Sequence, residues 1–190
     1  MSARSTRHPG RTLLLAVAAL VSPTLVLSPH ADAKQMRASG HLPAHGIFFP
    51  GVKLAGIKLG FTQGQVTAVL GKNYTLCTPA NNPNVCKETF LLFEYTRGEP
   101  LGLAVRIHNG KVGAVFTLGG VPGWKTHEGL KTYDPVSNIY KLYPAATVYT
   151  KCVGFEAFSF TKGRVTSSFY TTSGVIYGFA LTAPGVPVCE

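Results

Sequence analysis

The chain has 190 residues, a formal net charge of +10 at neutral pH and 45% hydrophobic residues. This length is typical of one domain with a sizeable hydrophobic core. The 18 lysine and arginine residues are scattered singly rather than in long runs. The charge therefore predicts a solvated basic surface and argues against a nucleic-acid-binding arm. Such a surface favours anionic surroundings, including cell-wall polymers and acidic proteins.

Residues 1–33 have the pattern of a cleavable signal peptide. Three arginines precede an apolar stretch over residues 13–27, and the small-x-small triplet Ala31-Asp32-Ala33 follows it. An uncleaved membrane anchor is the alternative, but Pro23 breaks the stretch and a span needs about 20 continuous apolar residues. Cleavage would leave 157 residues with a net charge of +8, since three arginines and one aspartate leave with residues 1–33. We expect a secreted protein with no transmembrane segment after cleavage.

Four cysteines follow the predicted signal peptide: Cys77, Cys86, Cys152 and Cys189. An even number of cysteines in an oxidising compartment predicts two disulfides. Three pairings are possible, and Cys77 with Cys86 and Cys152 with Cys189 is favoured because it puts one bridge in each half of the chain. Zinc binding is the alternative, but no C-x-x-C pair is present, so we expect no metal site.

The first half of the chain is predicted to begin with a short helix. Glycine and proline recur in residues 34–50, which we interpret as a flexible lead-in. Residues 51–120 form the first structural unit. In this unit Thr62 is a predicted N-cap, apolar residues at helical spacing follow it, and Gly71 ends the helix.

Strands are predicted after this helix. Residues 89–96 are rich in β-branched and aromatic side chains, which favours a strand. Residues 101–108 and 111–118 flank Asn109-Gly110. This pair best tolerates the positive φ that both central positions of a type I′ turn require, so the two segments are predicted to form a hairpin.

The second half repeats this order. Residues 121–128 are a predicted linker, and residues 129–190 form the second unit. A shift of 73 residues aligns the two units and matches Val66 with Ile139. Because each unit alone is small for a stable core, pairing of the two units and the two bridges would both be needed.

The second helix is predicted to be capped by Asp134, with Pro135 in its first turn. Strand-like segments follow it at residues 146–151, 155–161, 164–171 and 174–181. The predicted fold class is therefore α+β, with two tandem repeats that each contain a short helix, an antiparallel sheet and one disulfide.

The segment 56–72, with the sequence GIKLGFTQGQVTAVLGK, carries a resemblance to a known family. Followed by strands and a hairpin, it resembles the helix-plus-sheet repeat of secreted β-lactamase inhibitory proteins and of small outer-membrane assembly lipoproteins. The resemblance covers residues 51–183 and implies a two-copy sheet with an exposed face for a protein partner, such as a secreted hydrolase. The second copy departs from the pattern, since Tyr133 stands where Gly60 stands in the first copy. No binding residue is carried over from the family.

Catalysis has little support in the sequence. There is no G-x-S-x-G motif, and the four cysteines are better used as bridges. Among the few carboxylates, Asp134 is explained as a cap, Glu99 lies in a turn, and Glu94 and Glu156 lie at strand positions that usually face solvent. We therefore expect no catalytic residue and no cofactor.

Aromatic residues are the feature that most favours binding, because tyrosine and tryptophan are common anchors in protein interfaces. The partner-binding candidates are Trp124, Tyr95, Tyr133 and Tyr170, with Trp124 expected to be exposed in the linker. The alternative is that most aromatics are core residues and that Trp124 fills the junction of the two sheets.

Two functions follow from these patterns. The first is a secreted, non-enzymatic protein that binds another protein, in the manner of an inhibitor. The second is a cell-envelope or wall-associated protein that its basic charge holds on anionic polymers.

Overall fold

A computed structural model describes residue 42 and residues 46–94, 102–119 and 123–189. The predicted signal peptide (1–33) and Tyr95 lie outside these residues. Within them the protein is mostly β-sheet and has two short helices. The term α+β therefore applies to it only loosely.

The described elements are eleven strands and two helices. The helices are α1 (Gln63–Leu70) and α2 (Ser137–Leu142). The strands before α2 are β1 (Ile47–Phe49), β2 (Lys53–Leu54), β3 (Thr75–Cys77), β4 (Thr89–Glu94), β5 (Gly102–His108), β6 (Lys111–Leu118) and β7 (Lys125–Thr126). Those after α2 are β8 (Val148–Lys151), β9 (Glu156–Lys162), β10 (Val165–Thr172) and β11 (Val175–Thr182).

The main sheet has eight strands among the described residues, in the order β3-β4-β5-β6-β11-β10-β9-β8. All of its strand pairs are antiparallel. The sheet thus consists of two four-stranded meanders, and the last strand of each meander lies at the centre. A smaller sheet, β2-β1-β7, contains the end of the predicted lead-in as β1 and part of the predicted linker as β7.

The two faces of the main sheet differ. On one face alternate strand residues such as Leu103 and Phe169 pack with α1, α2 and the small sheet in the principal core. On the other face Ala104, Phe116, Tyr170 and their neighbours form a second cluster to which neither helix contributes. We call this second surface the helix-free face.

The first helix forms as predicted. The Thr62 hydroxyl accepts from the backbone N–H of Gln65, and the Gln65 side chain accepts from the backbone N–H of Thr62, which completes a capping box. The helix ends before Gly71, whose φ is +86°. Its buried residue, Val66, points into the principal core.

The predicted cap of the second helix is wrong. The helix begins at Ser137, and its N-cap residue, Val136, makes no side-chain capping bond. The Asp134 carboxylate instead accepts from the backbone N–H of Lys131 at 2.9 Å. Pro135 bridges to Val175 of β11, so the chain is still extended where the sequence predicted a helical turn.

Hairpin turns of the same kind connect β5 to β6 and β10 to β11. Asn109 and Gly110 have φ values of +51° and +72°, which confirms the predicted type I′ geometry. Ser173 and Gly174 have φ values of +49° and +78° in the second meander. Each hairpin also contains a β-bulge, which lies beside Ile107 in one and Thr171 in the other.

The segments that lead into the two helices are held in the same way. The Gly60 N–H donates to the Val112 carbonyl, and the Tyr133 N–H donates to the Ile176 carbonyl. Gly60 and Tyr133 both have positive φ, at +81° and +71°. Tyr133 therefore adopts the left-handed conformation that favours glycine.

Two disulfides, Cys77–Cys86 and Cys152–Cys189, confirm the predicted pairing. They are compatible with an extracytoplasmic protein. Within the described residues, neither helix has the length and apolar character needed to span a membrane.

The two meanders meet along a short line of backbone pairs. Strand β6 pairs with β11 at Ala114–Thr182, Val115–Leu181 and Phe116–Ala180. Beyond Phe116 a side chain continues the junction, because the Thr117 hydroxyl accepts from the Phe179 N–H at 2.8 Å and lies 3.5 Å from the Phe179 carbonyl.

We expect Thr117→Val to destabilise the protein by about 1–3 kcal/mol, because it leaves the buried Phe179 N–H without its partner. Thr182→Val is the matched control on the same strand pair. The Thr182 hydroxyl is buried and has no hydrogen-bond partner among the described residues, so its removal should be neutral or stabilising. Urea unfolding of both variants measures the difference, and equal losses would contradict the role assigned to Thr117.

Candidate functional site

The expectation that Trp124 is exposed is wrong. Its side chain is 0% exposed and belongs to the principal core. Gly46 lies directly against it, and a Cβ atom at Gly46 would be 2.6 Å from the indole ring. The linker position suggested exposure, but β7 brings Trp124 beneath the small sheet. It is a core residue and offers no surface to a partner.

Trp124 is the single tryptophan of the chain, so its fluorescence reports this packing directly. We expect blue-shifted emission and poor quenching by iodide, because the indole is shielded from water. Denaturation should shift the emission to the red. Strong iodide quenching in the native protein would contradict the buried position.

Tyr170 is also buried, at 2% exposure, on the helix-free face. Its hydroxyl donates to the Val188 carbonyl at 2.7 Å. Residues 183–189, which we call the strap, pack Val186 and Val188 against the second cluster, and the Cys152–Cys189 bridge secures the strap. The structure thus gives Tyr170 a role in holding the strap rather than an accessible surface.

Tyr133 is exposed, at 56%, as a partner-binding residue requires. It lies in the segment before α2, where its backbone is bonded to β11. The three described candidates, Trp124, Tyr133 and Tyr170, are therefore not brought together, since Trp124 and Tyr170 are buried in different clusters.

A group of aromatic side chains that sequence reasoning missed lies beside β8. Tyr140 of α2 and Tyr149 of β8 are each 52% exposed. Both contact the ring of Phe158 in β9, at centroid distances of 5.6 and 5.5 Å. We call Tyr140, Tyr149 and Phe158 the edge patch. Residues 146–151 were predicted to be a strand, but the contact of Tyr149 with Phe158 depends on the pairing of β8 with β9, and that of Tyr140 depends on the packing of α2 against β9.

The hydroxyl of Tyr149 is anchored. It donates to a carboxylate oxygen of Glu156 at 3.0 Å, and this hydrogen bond raises the pKa of Tyr149. The ring is thereby held over the strand pair while half of its surface remains in water. Rigid, half-exposed tyrosines lose little conformational entropy when a partner covers them.

The two outer edges of the main sheet differ in cover. At β3 the Asn81 side-chain amide donates to the outward Leu76 carbonyl at 2.6 Å, and the Cys77–Cys86 bridge holds the loop that carries Asn81. At β8 no described residue outside β9 pairs with the strand. Among the described residues the β3 edge is thus capped at one carbonyl by its own loop, and the β8 edge is open.

A charged cluster lies where β4 and β5 meet the first hairpin. Arg106 Nε donates to Glu88 at 2.6 Å, and His108 Nδ1 lies 3.1 Å from the other oxygen of the same carboxylate. The hydrogen bond from Arg106 is the main reason that the pKa of Glu88 is lowered to about 2. This arrangement tethers the ends of two strands.

The cluster predicts a pH dependence of stability. The folded pKa of Glu88, about 2, is lower than its ordinary value of 4.5, so the stabilisation is present above that ordinary value and is lost as the pH falls through 2. Because Glu88 is partly exposed, we expect a loss of only about 1–2 kcal/mol. Glu88→Gln should remove this contribution. Acid titrations of unfolding free energy in both proteins check it, and identical slopes below pH 5 would contradict it.

No metal centre emerges in the described part of the chain, where no group of three or more histidine, cysteine, aspartate or glutamate side chains could hold an ion. Comparisons of the chain with family models, curated proteins and solved structures find no match. The function must therefore be argued from this protein's own surface.

Proposed function

We propose that the protein is a secreted, non-enzymatic binding protein, and that it holds a partner protein at the edge patch. The observation that carries the proposal is the pair of half-exposed tyrosines, Tyr140 and Tyr149, fixed on the Phe158 ring. Tyrosines anchored in this way are typical of interface hot spots. The predicted signal peptide and the two disulfides support secretion.

We also propose that the two meanders are tandem copies of one helix-plus-sheet unit. The two type I′ turns and the two bulges are each separated by 64 residues. Gly60 and Tyr133, with the same backbone bond and positive φ, are separated by the 73 residues that align the helices. The smaller separation in the strands is consistent with a longer β3–β4 loop in the first copy, where Cys77–Cys86 lies.

The resemblance to secreted β-lactamase inhibitory proteins makes a secreted hydrolase the first kind of partner to test. In this protein the strap lies on the helix-free face and buries Tyr170. The edge patch is therefore the better candidate for the contact surface.

A second candidate function is attachment to an anionic envelope polymer. No lysine in the described ranges forms an ion pair, so no carboxylate of these ranges neutralises their charge directly and a polyanion could do so. Salt separates the two functions, because binding by scattered charge weakens steeply with ionic strength, whereas an aromatic protein interface does not.

The test is a pull-down with the oxidised protein from culture medium and envelope fractions, washed at low and high salt. We expect a protein partner that stays bound in the high-salt wash. Its affinity for Tyr149→Ala should be lower than for the native protein by more than about tenfold. Leu76→Ala, which alters an exposed apolar residue on the opposite edge, is the matched control and should bind normally. Capture of salt-labile wall material alone would overturn the proposal and favour the envelope function.

A further inference from the structure

We propose that the open β8 edge binds an extended, acidic segment of a partner protein, which adds to the main sheet as a further strand beside β8. This inference rests on the proposed binding function and specifies the form of the contact. The outward backbone groups of β8, the side chains that flank them and the local charge each support it.

The backbone of β8 has unused hydrogen-bonding groups. Cys152 N–H donates to the Phe155 carbonyl at 2.9 Å, and bonded and non-bonded pairs alternate along an antiparallel ladder. Thr150 is therefore bonded to β9, whereas Tyr149 and Lys151 direct their N–H and C=O groups away from it. Two residues of β8 thus offer a complete set of bonds to an added strand.

An exposed edge of this kind is normally covered, because it invites pairing with other chains. The opposite edge is a three-residue strand whose outward carbonyl, that of Leu76, is capped by Asn81 from within the bridged loop. No described segment caps the β8 edge in this way, and two exposed tyrosines lie beside it instead. This difference between the edges of one sheet favours a role for β8 in binding.

The positive charge near the β8 edge favours an acidic partner strand. Lys151 on β8 and Lys141 on α2 are exposed, and neither forms an ion pair among the described residues. Glu156, whose carboxylate accepts from Tyr149, lies opposite Lys151 on β9 and is outnumbered by the two lysines. An acidic strand beside β8 would lie next to Lys151, whereas a second copy paired there would bring its own Lys151 to the same place. Charge complementarity therefore favours an acidic partner over self-association.

The experiment selects a phage-displayed library of random peptides on the oxidised protein and compares selected peptides on two variants. Lys151→Pro removes the outward N–H of residue 151 but breaks no hydrogen bond to β9. Edge strands tolerate proline at such positions. Lys151→Ala keeps this N–H and removes the charge. Leu76→Pro is the matched control on the covered edge. Trp124 fluorescence and the urea midpoint establish that each variant is folded.

We expect the enriched peptides to be acidic and to bind Lys151→Pro at least about tenfold more weakly, because a backbone hydrogen bond is lost. Lys151→Ala should bind with an intermediate affinity, and Leu76→Pro with the native affinity. Hydrogen exchange should slow at the Tyr149 and Lys151 amides when peptide is bound. Lys141→Glu combined with Lys151→Glu, which preserves every backbone group, should also weaken binding.

Three results would overturn the inference. The first is no enrichment of acidic peptides, and the second is binding that Lys151→Pro leaves unchanged. The third is a dimer in solution that Lys151→Pro dissociates, which would assign the edge to a second copy. If the pull-down still yields a salt-resistant partner that Lys151→Pro retains, the proposed function stands and only strand addition fails. If the pull-down with the native protein yields no partner that survives the high-salt wash, the proposed function itself fails.

Discussion

The pairing of β6 with β11 is the constraint on which the rest of the structure depends. Among the described residues, three residue pairs and the Thr117 hydroxyl are the strand contacts that join the two meanders in the main sheet. This junction makes one continuous surface for α1, α2 and the small sheet to cover. It also places β3 and β8 at opposite ends of the sheet, so the open edge is a direct consequence of it.

Local signals in the sequence predicted much of the fold. The Asn109-Gly110 turn, the Thr62 cap and the two disulfides depend on residues close to each other or on a simple count of cysteines, and all are confirmed. Asp134 is the exception among these local predictions. A β11 partner, invisible in the local sequence, keeps the Pro135 segment extended and moves the helix start to Ser137.

The candidate site was harder to predict, because exposure depends on distant packing. Trp124 is covered by elements far from it in sequence, including Gly46, and Tyr170 is covered by the strap. The edge patch combines residues of α2, β8 and β9, so no spacing within one element indicates it. Tyr133 was correctly placed at the surface, and its alignment with Gly60 was the one sign in the sequence of its left-handed backbone.

The two disulfides also decide how the chain responds to a protease. The Cys152–Cys189 bridge encloses all of β9, β10 and β11 in one covalent ring. The ring closed by Cys77–Cys86 contains only the loop between β3 and β4. A cut in the turn after β9 or β10 therefore leaves both fragments covalently linked. A cut at Asn109-Gly110 lies in neither ring and leaves the fragments joined by packing and strand pairing alone. The two similar hairpins therefore differ in whether a single cut in their turn separates the chain into two covalently independent fragments.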